Sequence, residues 1–218
     1  MLEDTLNKNK VEKGTLITFE GIDGSGKSTQ IRRLKSYLKK NNIKNFFFTR
    51  EPGGSELGNR VKNFLINNKN NSLSKQTQIL LLIAARYEHY VKLILPLLKK
   101  NKIVVSDRFQ DSTFAYQCGN NKDLHNLLTN FNHLLFKKFQ PNLTFLLDIN
   151  PNVSLKRISI RKTNNAFDKK TLSFYKNVRA NYLKLAEKNS RIKVLNAEKN
   201  QDEIFNNITK TIFKYIKL

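Results

Sequence analysis

Residues 21–28 read Gly-Ile-Asp-Gly-Ser-Gly-Lys-Ser, a G-x-x-x-x-G-K-S run. Glycines let a backbone curl until successive N–H groups converge on one anion. A lysine adds a point charge for β- and γ-phosphates, and a serine hydroxyl is a hard oxygen ligand for Mg²⁺. The run follows an apolar, β-prone segment (Leu16, Ile17, Phe19) and opens into a helical one. A helix N-terminus at that point contributes partial positive charge. The candidate triphosphate loop is therefore Gly21, Ile22, Asp23, Gly24, Ser25, Gly26, Lys27, Ser28 and Thr29, with Lys27 on the phosphates and Ser28 on the metal.

Further chemistry-bearing residues lie at the ends of later strand-like runs. The run 103–106 leads into Asp107-Arg108. An acid at the carboxyl end of a strand beside a phosphate loop suits a Mg²⁺ position reached partly through water. Arg108 is cationic at any pH and can hold a phosphate bidentately. Arg50 ends another strand-like run, in Thr49-Arg50-Glu51-Pro52-Gly53-Gly54, and Arg86 sits on a long helical stretch. One lysine for a triphosphate with several arginines nearby implies a second phosphorylated substrate. A GTPase would carry Asn-Lys-x-Asp after a late strand. Here the run 143–148 ends in Leu147-Asp148-Ile149-Asn150-Pro151.

These residues need a scaffold that brings strand ends together. Hydrophobic patterning predicts strands over 16–20, 46–49, 103–106, 143–148 and 192–195. It predicts helices over 28–41, 58–66, 75–99, 124–136, 154–161 and 172–189, and a closing helix with Ile204, Ile208 and Ile212 on one face. Short apolar strands alternating with helices predict an α/β fold, a five-stranded parallel sheet in a three-layer α/β/α arrangement of P-loop NTPase type. Residues 1–14 read as a flexible N-terminal extension and 15–218 as a single domain. The polar, aperiodic segment 162–170 is the candidate mobile loop, within a lid over about 157–170.

The bulk composition narrows the class. A chain of 218 residues with 39% hydrophobic content can bury a core, which excludes a disordered chain. A lone cysteine, Cys118, excludes a disulfide framework and a cysteine zinc site, and points to the cytoplasm. No apolar run is long enough to span a membrane, so no membrane partner is expected. The net charge of +23 would ordinarily suggest nucleic acid. The lysines are instead scattered among asparagines and isoleucines, as in Lys39-Lys40-Asn41-Asn42, so no nucleic-acid partner is expected. The charge should still attract phosphorylated substrates.

From about residue 15 onward the chain resembles the bacterial thymidylate kinases. Phe19-Glu20-Gly21-Ile22-Asp23 through Thr29 is similar to their phosphate loop, and Thr49-Arg50-Glu51-Pro52-Gly53-Gly54 to their second motif. Residues 80–89 (LLLIAARYEH) resemble their nucleotide-facing helix, and 107–117 (DRFQDSTFAYQ) their D-R-Y-x-D-S-S-x-A-Y-Q signature. The resemblance implies ATP- and Mg²⁺-dependent conversion of dTMP to dTDP, for dTTP synthesis, by a homodimer. It implies that Asp23 holds the sugar 3′-hydroxyl, that Arg50 and Arg108 hold the acceptor phosphate, and that Arg86 faces the pyrimidine or its phosphate. Ser112, Thr113 and Gln117 fall where family members contact the monophosphate, and Tyr116 where a ring excludes a 2′-hydroxyl. Lys27, Arg108, Asp23 and a lid arginine form the implied catalytic set.

Two positions depart from that family. Leu82 stands where a phenylalanine commonly stacks on thymine. Ala166 stands where the lid usually carries an arginine, and Gly24 occupies the loop position where other kinases place one. Arg161 and Arg157 remain as lid arginines. Kinases for another deoxynucleoside monophosphate, deoxynucleoside kinases, and a nucleic-acid-stimulated ATPase are the alternatives; the second motif argues for a phosphorylated acceptor.

Overall fold

The computed structural model describes residues 14–67, 73–137, 139–160 and 171–216. In chain order the elements are β1 (Thr15–Glu20), α1 (Lys27–Lys40), β2 (Phe46–Arg50), α2 (Glu56–Asn67), α3 (Lys75–His89), α4 (Leu95–Lys99), β3 (Ile103–Asp107), α5 (Gln110–Thr113), α6 (Lys122–Phe136), β4 (Leu143–Asp148), α7 (Pro151–Ile160), α8 (Leu172–Lys188), β5 (Ile192–Asn196) and α9 (Gln201–Tyr215). Two π-helical turns, Tyr90–Ile94 and Phe114–Cys118, join α3 to α4 and extend α5.

All five strands run parallel in the order β2-β3-β1-β4-β5. The chain leaves β1 in one direction to reach β2, and every later crossover runs the other way. Right-handed crossovers then put α1 on one face of the sheet and the helices between β2 and β5 on the other; α9, which follows the last strand, packs against α1. The reversal lies between β1 and β3, where open α/β sheets bind ligands at the carboxyl ends of the strands. The phosphate loop leaves one of those ends and Asp107-Arg108 the other.

Sequence explains the elements locally. Ser74, Asn121 and Thr171 each accept a hydrogen bond from a backbone N–H three residues on, capping α3, α6 and α8. Ile204, Ile208 and Ile212 recur every fourth residue and are buried, so α9 presents one apolar stripe to the core. Leu34 and Leu38 of α1 join it, over Ile17, Phe19, Val105 and Phe145 of the sheet. Each such side chain contributes roughly 1.5–3 kcal/mol by leaving water.

Three local differences from the sequence expectation have physical reasons. The helix expected over 75–99 widens before Pro96, where Leu95 N–H bonds to Tyr90 O, because proline has no N–H and its ring crowds the preceding turn. The helix expected from 154 begins at Pro151, which fits a first helical position. Residues 110–118, given no element from their pattern, form α5 and its π turn. The strands also hold a transverse polar row, with Thr49, Ser106, Thr18 and Thr144 in register across β2, β3, β1 and β4. Thr18 and Thr144 hydroxyls bond at 2.7 Å, which allows both to be fully buried.

Candidate active site

The phosphate loop is built tightly against α7. Gly24 has φ +76°, and a Cβ there would lie 2.8 Å from Ser154 O and 3.2 Å from Ile158 Cγ1. Ser154 Oγ also donates to the Asp23 carbonyl. No larger residue fits at position 24 without moving α7. Gly26, at φ +94°, forms the N-cap of α1, and its carbonyl accepts from Thr29 and Gln30 N–H. Lys27 Nζ donates to Gly21 O at 2.9 Å and Ile22 O at 3.0 Å. Burial, with the Arg108 charge beside it, pulls the Lys27 ammonium down to about 8.

Arg108 is the hub. Its backbone is left-handed, φ +73°, a conformation that costs a non-glycine residue of order 1 kcal/mol or more and that clusters at functional sites. The bend is held by Arg108 N–H on Phe19 O at 3.0 Å and by Ser106 Oγ on Arg108 O at 2.7 Å. It turns the guanidinium back across the loop. Nη1 reaches Gly21 O at 3.0 Å, Ser112 Oγ at 3.1 Å and Tyr182 OH at 3.2 Å. Nη2 donates to Asp23 Oδ1 at 2.6 Å, and the guanidinium sits 5.0 Å over the Tyr116 ring. Burial works to raise the Asp23 carboxyl, but Arg108, Lys27 and the Tyr175 hydroxyl outweigh it and hold the group below its ordinary range.

These residues open on a cleft of about 480 Å³. Asp23, Gly24, Gly26, Lys27, Ser28, Arg50, Leu82, Arg86, Asp107, Arg108, Ser112, Thr113, Tyr116 and Gln117 all line it. Gly21, Ile22, Ser25 and Thr29 shape the loop from behind and are not among the lining residues. At the far end Arg86 is 3% exposed and ion-paired through Nε to Glu51 Oε2 at 2.7 Å, while Nη2 reaches Thr113 Oγ1 at 2.9 Å. Its Nη1 is buried with no hydrogen-bond partner among the described residues. Glu51 is shared with His89 Nδ1 at 3.0 Å, and His89 Nε2 bonds Thr49 Oγ1 at 2.7 Å. A side chain on Gly54 would strike His89 and Thr49, so the Gly53-Gly54 turn closes this network.

Several contributors were not singled out from the sequence. Lys62, Leu65 and Ile66 line the cleft from α2. Their i, i+3, i+4 spacing marks one helix face, a signal present in the sequence but uninterpretable until α2 is placed. The nearby Arg50 charge, and burial after it, depress the Lys62 ammonium. Glu20, Tyr175 and Tyr182 underlie Asp23 and Arg108 from β1 and α8. Glu20 is fully buried, and burial together with Asp111 pushes its carboxyl up to about 7.

Ser28 Oγ donates to Asp107 Oδ2 at 3.1 Å. This hydroxyl–carboxylate pair is the hard-oxygen donor set that suits Mg²⁺, which takes few protein ligands and completes its shell with water and phosphate. Of the expected lid residues, Arg157 does not line the cleft; both its Nη atoms donate to Ala197 O at 3.3 Å, just after β5. Arg161 and Ala166 lie outside the described residues, as do residues 1–13 of the expected N-terminal extension.

The comparisons with known proteins agree with this construction. A sequence model described as thymidylate kinase matches residues 19–208. The chain is similar to the thymidylate kinase of Ligilactobacillus salivarius, 39% identical over 88% of this chain and 94% of that one. It is 40% identical to that of a Geobacillus strain, over 88% of this chain and 93% of the relative. The crystal structure of thymidylate kinase from Ehrlichia chaffeensis superposes with a TM-score of 0.72 at 34% identity, covering 92% of this chain and 99% of that one. The match runs from the strand before the phosphate loop to the last helix, taking in both the loop and the Arg108 hub, and on that ground the chain belongs to the thymidylate kinase family.

Proposed function

We propose that the protein transfers the γ-phosphoryl group of ATP to the phosphate of dTMP, giving dTDP and ADP in the supply of dTTP. The observation that carries the reading is the position of Arg108, which touches the phosphate loop at Gly21 O and the acceptor wall at Ser112 and Tyr116. A guanidinium in that place neutralises charge between two phosphorylated substrates. The loop 21–28 and Lys27 hold the triphosphate. Arg50, with Lys62 beside it, and Arg108 hold the acceptor phosphate. Asp23 accepts from the sugar 3′-hydroxyl, and Tyr116 walls the deoxyribose. Leu82 covers the base by apolar contact, and Arg86 Nη1, without a hydrogen-bond partner among the described residues, is the donor available to a pyrimidine carbonyl in the cleft that Thr113 and Gln117 also line.

No general base is required, since the attacking group is a phosphate oxygen already ionised. The protein's part is to align two anions, neutralise their charge and exclude water. Mg²⁺ would be held by Ser28 and, partly through water, Asp107; when bound it draws negative charge from the phosphate oxygens. Arg161 completes the charge on the lid side, because Gly24 leaves no room for a loop arginine and Arg157 is engaged at Ala197.

The protein acts as a homodimer. Leu57 and Phe64 on α2, and Leu80 and Tyr87 on α3, are each two turns apart on one helix face and are 37–53% exposed, and Leu134 on neighbouring α6 is 72% exposed. Apolar stripes on packed helices suit an isologous interface with a second copy. No helix among the described residues is long and apolar enough to cross a membrane, and the single cysteine, Cys118, is free and buried, in keeping with cytoplasmic work.

Incubation with Mg·ATP and each nucleoside monophosphate tests the reading. dTMP should be the best acceptor, dUMP poorer by the roughly 1–3 kcal/mol that one methyl is worth, and ribonucleotides nearly inert. Preference for dGMP or CMP would reject it.

A further inference from the structure

We propose that Glu20 is a positioning residue for the acceptor half of the site, acting through the hydroxyls of Ser112 and Tyr182 on Arg108. The inference rests on the reading of Arg108 as a phosphate holder.

Glu20 ends β1 at 0% exposure and joins three elements. Oε1 accepts from Phe109 N–H at 2.7 Å, at the start of α5. Oε2 accepts from Ser112 Oγ at 2.6 Å and from Tyr182 OH, on α8, at 2.8 Å. Those two hydroxyls lie 2.8 Å from each other, and each lies within reach of Arg108 Nη1, at 3.1 and 3.2 Å. No hydrogen bond links Glu20 to Arg108 directly among the described residues.

Proton counting gives the pair of hydroxyls a direction. A guanidinium only donates, so an oxygen that receives Arg108 Nη1–H must send its own single proton elsewhere. The Glu20 carboxylate takes both hydroxyl protons at one oxygen, and the lone pairs of Ser112 and Tyr182 then face Arg108. The same carboxylate anchors Phe109 N–H, which follows the left-handed turn at Arg108. Glu20 thus fixes both the backbone after Arg108 and the acceptors that aim its side chain. The first turn of α5 is also held separately, by Arg191 Nη1 and Nη2 donating to Asp111 at 2.8 and 2.7 Å.

A glutamine at this position has one acceptor and one donor group. With its oxygen on Phe109 N–H, its amide N–H₂ faces the hydroxyls and drives a proton toward Arg108. With the amide reversed, two N–H donors meet at Phe109. Either arrangement leaves Arg108 misdirected, while Lys27, the cation facing ATP, keeps its own bonds to the Gly21 and Ile22 carbonyls.

Steady-state kinetics of Glu20→Gln, with both substrates varied and the pH held well above 7 so that the wild-type Glu20 is a carboxylate, tests this. The KM for dTMP should rise about tenfold or more, and the KM for ATP should stay within about twofold. Introduced into a Ser112→Ala/Tyr182→Phe background, Glu20→Gln should add less than about twofold, because the route to Arg108 is already cut. An unchanged dTMP KM, equal rises in both KM values, or a full multiplicative effect in the double background would overturn the proposal. Should circular dichroism show Glu20→Gln unfolded, Ser112→Ala and Tyr182→Phe alone decide: each must raise the dTMP KM selectively, and if either does not the proposal fails. Wild-type protein that phosphorylates dTMP while Glu20→Gln behaves normally rejects this inference alone. Wild-type protein inert toward dTMP rejects the underlying reading.

Discussion

Arg108 Nη2 donates to Asp23 Oδ1 at 2.6 Å, joining the residue after β3 to the third residue of the phosphate loop across 85 positions of sequence. Both groups are more than half buried, so the pair is stronger than a surface ion pair and is coupled to whatever either one binds. Removing Arg108 alone strands the Asp23 carboxylate beside an incoming phosphate. Arg108→Ala should therefore lower kcat/KM for dTMP more than twentyfold, and adding Asp23→Asn should recover part of that loss. A double-mutant cycle should give a coupling of about 1 kcal/mol or more between the two. Strict additivity would show that the pairing has no bearing on the acceptor.

Lys27 rests on the carbonyls of Gly21 and Ile22 and makes no contact that the core needs. Lys27→Ala should leave the melting temperature within a few degrees of wild type and reduce kcat well below a tenth, a loss above about 1.4 kcal/mol. A variant that keeps more than a tenth of kcat would remove Lys27 from its role on the triphosphate.

With glycine at position 24, the lid-side charge falls to Arg161 in the proposed mechanism. Gly24→Ala places a methyl 2.8 Å from Ser154 O at φ +76°, and should cost on the order of 1–3 kcal/mol of stability, read as a lower melting temperature. Arg161→Ala should lower kcat by roughly 10²–10³ with a smaller change in the dTMP KM, the cost of losing one preorganised donor. Arg157→Ala, engaged at Ala197 O, should change kcat far less. The reverse ranking would assign the transferring phosphoryl group to Arg157.

Glu20 also has a pH signature. Burial and Asp111 raise its folded carboxyl to about 7 from an ordinary 4.5. Between those values the folded protein holds a proton that the unfolded chain has released, so this group's contribution to stability falls as pH rises from about 4.5 to 7. Glu20→Gln removes that dependence. The melting temperature of the variant minus that of wild type should increase across this window, and carboxyls that do not interact with Glu20 cancel in the difference. A flat or falling difference would show that Glu20 ionises normally.

Leu82 is buried in the cleft wall, where an aromatic ring would add a stacking face. Leu82→Phe should lower the dTMP KM by about two- to tenfold, corresponding to roughly 0.5–1.5 kcal/mol. A raised KM would mean that the pocket has closed around the smaller side chain.

What the amino-acid order determined by itself is the chemistry carried by contiguous residues. Gly21–Ser28 is legible because one loop between a strand and a helix is specified by its own glycines and by the apolar run before it. The five strands are legible because parallel, doubly covered strands read as short apolar runs. Asp107 and Arg108 are legible as strand-end residues, and Arg50 with them. The tertiary structure decided which distant groups these residues face. Glu20 reads as one more polar residue until β1 meets α8, 162 positions away, and Tyr182 arrives at its carboxylate. Lys62 reads as one of many lysines until α2 turns its face to the cleft. Gly24 is legible as a loop position, but the steric reason for a glycine there is not, until Ser154 and Ile158 of α7 close over it. Local conformational preference extends over a few residues, whereas burial, proton placement and charge coupling depend on neighbours that only the folded chain brings within hydrogen-bond distance.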